Sequence, residues 1–67
     1  MDKDARMVLD GLNTGFIANV GGILYDKNFS RIALSFSRFY RCLRELQSRG
    51  IKIERADSGG SPTWIII

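Results

Sequence analysis

The apolar residues between Ile32 and Leu46 recur at helical spacing. Placed at ~100° per residue, Ile32, Phe36, Phe39, Tyr40, Leu43 and Leu46 fall in one arc, while Arg31, Arg38, Arg41, Glu45 and Arg49 gather on the other side. The pattern predicts an amphipathic helix with one packing face and one cationic face. Gly50 stands where a helix needs a residue tolerant of left-handed backbone, and Arg49 puts positive charge beside the negative helix end, so the helix is expected to stop there. Beyond it, Ile51 and Ile53 alternate with Lys52 and Glu54, the period of a strand with one buried side. Asp57-Ser58-Gly59-Gly60-Ser61-Pro62 is turn-forming, and Thr63-Trp64-Ile65-Ile66-Ile67 supplies a second strand. The carboxyl half therefore reads as helix, glycine, strand, loop, strand.

The amino-terminal third reads as a short helix capped by Asp2 or Asp4. Ala5, Val8, Leu9 and Leu12 keep its spacing, Asn13-Thr14-Gly15 forms its exit, and Gly11 weakens it. Phe16 to Tyr25 has two readings. It is either a hairpin turning on Gly21-Gly22 or an extended entry followed by a helix capped by Asn19. The spacing of Val20, Ile23 and Leu24 tips the reading toward a helix, and the hairpin stays open. The start of the arginine-rich helix is open too, because Ser30, Ser35 and Ser37 are all competent N-caps. With a start at Ser35 or Ser37, Phe29 to Leu34 becomes a short helix of its own, crossing into the next as in a helix-turn-helix.

A chain of 67 residues allows one domain with a thin core, since only about 60% of the unfolded surface is buried at this size. Its charge is uneven. Met1 to Ser30 carries three basic and four acidic residues, whereas Arg31 to Ile67 carries seven basic and three acidic, six of the seven being arginine. Arginine forks onto phosphate oxygens and guanine edges. The plainer reading of Arg41, Glu45 and Arg49 is a solvated ion-pair ladder at four-residue spacing. Arg38 differs if the helix begins near Ser37, because a cation in the first turn is then opposed by the dipole at a cost of about 0.3–1 kcal/mol, which a bound anion would offset.

The single cysteine, Cys42, rules out an intrachain disulfide and points to a reducing, cytoplasmic setting. No apolar run approaches the ~18 residues of a membrane helix, and the polar start Met1-Asp2-Lys3-Asp4 lacks signal-peptide layout, so the chain is expected to be soluble and complete at its amino end. Enzymatic chemistry is poorly served. Without histidine there is no imidazole acid-base group, no His-containing metal site and no conventional triad. Cys42 lies mid-helix near arginines, which would lower its pKa, but lacks a base partner and reads as a packed thiol. Glu45 and Glu54 alternate with basic neighbours as surface residues do, and no phosphate-loop pattern is present. No catalytic residue, metal or cofactor is expected.

Ala33-Leu34, Ser37-Arg38, Arg41, Leu43-Arg44-Glu45-Leu46, Arg49-Gly50-Ile51 and Ile53-Glu54 resemble the closing half of winged helix-turn-helix DNA-binding domains, especially small phage proteins and the amino-terminal domains of bacterial repressors. The resemblance covers about half the chain, from Ile32 to Ile67. It implies an α+β fold over residues 1–67, with a three-helix winged-helix core and a C-terminal β-hairpin wing, and it implies binding of double-stranded DNA by a small regulator or accessory factor. Carried onto this sequence, Ser37, Arg38 and Arg41 would face DNA, Arg31 or Arg44 would lie at the edges, and Lys52 and Arg55 would flank the wing. The wing tip has no basic residue, so its contacts would come from backbone N–H groups and Ser58 or Ser61. One copy would bind weakly, so two copies on adjacent half-sites or a larger protein assembly are expected partners. Successive side chains of Trp64-Ile65-Ile66-Ile67 point to opposite faces, leaving one apolar face uncovered, with Trp64 and Ile66 as the candidate oligomer interface. The alternative function is a protein-interaction module using that hairpin. The plainer reading of Trp64 is a core residue closing the hairpin against the first helix.

Overall fold

A computed structural model of the chain describes residues 1–67, save the side chain of Ser58. It has two helices and five strands: α1 (Lys3–Asn13), β1 (Ile17–Val20), β2 (Ile23–Asp26), β3 (Arg31–Ile32), α2 (Phe36–Ser48), β4 (Ile53–Ser58) and β5 (Ser61–Ile66). All pairings are antiparallel, in the order β3-β2-β1-β5-β4. The expected three-helix winged-helix core is therefore overturned. The fold is α+β, but the place assigned to a middle helix is taken by strands.

The reason lies in two glycine pairs. Val20 pairs with Ile23 across a two-residue turn in which Gly21 and Gly22 both have positive φ, 61° and 88°, the backbone that closes a hairpin with the right twist. Asn19 does not cap a helix; its side-chain oxygen accepts the Gly22 N–H at 2.9 Å. Gly59-Gly60 repeats the device, so β4 and β5 run up to Ser58 and Ser61 and the loop expected over Asp57–Pro62 shrinks to two residues. Pro62 fits because the pairing of β1 with β5 ends at Ala18 and Thr63. The segment Phe29–Leu34 contains β3, not a helix, and Ile32 packs from the sheet.

Each helix is well terminated. The Asp2 carboxylate accepts the Ala5 N–H at 2.8 Å and begins α1. Ser35 is the N-cap of α2, accepting the Arg38 N–H at 3.3 Å, which resolves the three serine alternatives. At the other end Gly50 has φ 92°; its N–H reaches the Gln47 carbonyl and the Ile51 N–H reaches the Leu46 carbonyl, at 3.0 and 3.1 Å. This paired closure satisfies two otherwise orphaned carbonyls.

Register and burial assign the two faces of the sheet. Ile17, Leu24, Ile32 and Trp64 share the face under the helices and are almost fully buried. Against them α1 sets Ala5, Val8 and Leu12, and α2 sets Phe39, Cys42, Leu43 and Leu46. Phe39, Ile17, Leu46 and Val8 are the largest of the fully buried side chains, each worth about 1.5–3 kcal/mol of transfer free energy. Gly11 packs closely: a Cβ there would stand 3.0 Å from the terminal methyls of Ile17 and Ile32, which would have to give by a few tenths of an ångström. Among the described residues no helix is long and apolar enough to cross a membrane.

Candidate nucleic-acid interface

The buried stripe of α2, Phe39-Cys42-Leu43-Leu46, fixes which residues point away from the core. At ~100° per residue, Ser37, Arg41, Arg44 and Ser48 lie opposite that stripe, and all four are exposed. Arg38, Glu45 and Arg49 lie to one side. Arg44, expected at an edge, thus stands at the centre with Arg41. Ser48 completes the strip, although its hydroxyl is engaged with the Glu45 carbonyl at 2.6 Å. The sequence signal for this arrangement lies in the Phe39-Cys42-Leu43-Leu46 spacing; an arc that takes in Phe36 and Tyr40 and leaves out Cys42 rotates the inferred face. Tyr40 is in fact 43% exposed.

The arginines differ in what they already hold. Arg38 is ion-paired with Asp4 of α1. The anion that offsets its unfavourable place in the first turn is therefore supplied by the chain itself, a contact 34 residues apart in sequence. Arg49 reaches Glu45, which is half-buried, at 3.4 Å, and Arg55 reaches the exposed Asp57 at 3.0 Å. Such pairs are worth about 0–1 kcal/mol and yield readily to a stronger anion. Arg55 also lies with its guanidinium 5.8 Å over the Trp64 ring, on the helix side of β4. Arg41 and Arg44 have no carboxylate within ion-pair distance among the described residues.

The residues singled out from sequence are only partly brought together. Ser37, Arg41 and Arg44 form one strip with Arg38 beside it, and Lys52 is exposed just past the end of α2. Arg31 lies elsewhere, since its partner in register is Tyr25 on the sheet face turned away from the helices. Trp64 is 4% exposed, stacked edge-on against Phe39 at 4.9 Å and Tyr40 at 6.0 Å. It belongs to the core, where the rings of α2 stack on it and α1 also lies against β5. Ile66 retains 37% exposure. The side chain of Ser58 lies outside the described atoms, and Ser61 is half-buried at the tip of β5.

Cys42 is buried in the α2 stripe. Burial pushes its thiol pKa up, and the negative charges of Asp2, Asp4 and Glu45 add to the rise, while Arg38 opposes it. The lowering expected from neighbouring arginines is outweighed. Among the described residues no three His, Cys, Asp or Glu side chains converge as a metal site. No protein family, curated protein or solved structure matches the chain.

Proposed function

We propose that the protein binds double-stranded DNA through the outward strip of α2. Arg41 and Arg44 supply the charge, Ser37 a hydroxyl contact, and Arg38 joins by exchanging Asp4 for a phosphate. The observation that carries this reading is the pair of exposed, unpartnered guanidiniums on a helix whose opposite face is locked into the core. Because the rod is fixed by Phe39 and Leu46, the two side chains can meet a duplex without reordering the backbone, and an arginine can take a phosphate or a guanine edge with two parallel bonds. α2 carries three arginines and one glutamate, so its field is positive even with Arg38 paired. Two or three phosphate contacts give weak, salt-sensitive affinity. The proposed role is that of a small regulator or accessory factor.

Titration of the labelled protein with a short duplex at low salt, followed by amide chemical shifts, tests the contact. Shifts should cluster on Ser37, Arg38, Arg41, Arg44 and Ser48 and leave Val20, Ile23 and Thr63 unmoved. Shifts confined to the sheet, or none with duplex in excess, would refute the reading.

A further inference from the structure

Both helices lie on one side of the sheet, so no helix covers its other face, where Ala18 is buried and its neighbours are partly exposed. Alternation places Ala18, Val20, Ile23, Tyr25, Thr63 and Ile65 there. Val20 and Ile23, cross-strand partners, are 48% and 36% exposed. A groove of about 340 Å³ runs along this face between Phe16, Ala18, Val20, Ser61 and Thr63, and Phe29, 82% exposed, forms one wall. Among the described residues of the five strands, charge on this face stands at its two margins: Arg31 on β3, the first strand of the sheet, and Glu54 on β4, the last. Neither has an ion-pair partner among the described residues. Four strand spacings of about 4.8 Å separate those strands, so the two side chains cannot meet within one copy.

We propose that this face pairs with the same face of a second copy. β1 is the middle strand of five, and a two-fold axis running along it turns the β3 margin of one copy over the β4 margin of the other. Arg31 then stands opposite the partner's Glu54, and the symmetry makes the pair twice. The register agrees. Arg31, Tyr25, Ala18, Thr63 and Ala56 form one cross-strand row, and Glu54 is two residues along from Ala56, about 7 Å, within the reach of the two side chains. The middle carries no charged side chain: Ala18, Val20, Ile23 and Ile65 stand there with Tyr25 and Thr63. The balanced charge argues against a nucleic acid on this face, since one arginine offset by one glutamate neutralises no run of phosphates. Lateral growth is also disfavoured, because β3 is only two residues long and β4 carries Glu54, Arg55 and Asp57. Five strands of two to six residues cover on the order of 400 Å² per copy, half of a standard interface. The dimer is therefore weak and reversible.

Sedimentation equilibrium of the whole chain, from micromolar to millimolar, tests this. The wild type should pass from monomer to dimer, and Arg31→Glu or Glu54→Arg alone should raise the dissociation constant about tenfold or more, each reversal placing two like-charge pairs in the interface. The double reversal R31E/E54R should restore association to within about threefold of wild type. Val20→Lys, on an exposed position that does not threaten folding, should abolish it, with circular dichroism unchanged. A chain that stays monomeric at millimolar concentration overturns the proposal, and so does a dimer indifferent to the single reversals or not rescued by the double one.

Discussion

Phe29 is the residue whose backbone and surroundings disagree most. Among the described residues it is the one non-glycine with positive φ, 62°, and it is 82% exposed, so little packing repays its conformation. The turn holds it there. Asp26 accepts the N–H groups of Asn28 and Ser30 through its side chain, at 2.8 and 3.0 Å, and the N–H of Phe29 through its carbonyl at 3.0 Å. A bulky L-residue in the left-handed region is strained by about 1–2 kcal/mol, of which glycine's greater unfolded-state freedom returns a part. Phe29→Gly should therefore stabilise the monomer by about 0.5–1 kcal/mol in dilute urea titrations. A clear loss of stability would show that the ring packs after all. If the sheet face pairs as proposed, the same variant should associate more weakly while folding more tightly, separating the two roles of the ring.

At the scale of the element, α2 was the most legible part of the chain and the segment before it the least. Its buried stripe, its glycine stop and the following strand all follow from apolar spacing and from Gly50. Three serines left its start open, because an N-cap is decided by which hydroxyl reaches an N–H two or three residues on, and that depends on where β3 delivers the chain. The Phe16–Tyr25 hairpin was legible only in Gly21-Gly22. Val20, Ile23 and Leu24 are three and four residues apart, a spacing that a helix and a pair of short strands around a tight turn both produce. Arg38 had a partner invisible in sequence, since nothing local announces that Asp4 will lie beside it.

Cys42, in the same α2 stripe, tests how tightly that element is seated. Its thiol pKa is raised above the ordinary value of 9.0 by burial first and by Asp2, Asp4 and Glu45 next. Below that value the thiol is neutral in both states and its contribution to stability is complete. As the pH rises past it, the unfolded chain releases its proton first, so stability falls through the folded pKa. Urea midpoints measured from pH 7 to 10 should drop more in the wild type than in Cys42→Ala, and the native thiol should react slowly with a disulfide reagent. Parallel curves for the two proteins would mean the thiol is not shielded by α2.

At the scale of the whole molecule the two layers divide the work. The helix layer faces solvent with Arg41 and Arg44 unpaired, and the far side of the sheet is apolar and nearly neutral across its middle. Sheets paired face to face would turn their α2 helices in opposite directions, so a dimer of this kind would hold two duplexes rather than read adjacent half-sites on one. The central claim remains the strip on α2. Its most direct test is the salt dependence of duplex binding by fluorescence anisotropy, for the wild type and for the double variant R41A/R44A. Two or three neutralised phosphates give a slope of log affinity against log salt of about −2 to −3, and removing both arginines should bring it to about −1 or less. An unchanged slope and affinity in the double variant would contradict the assignment of DNA contact to this helix.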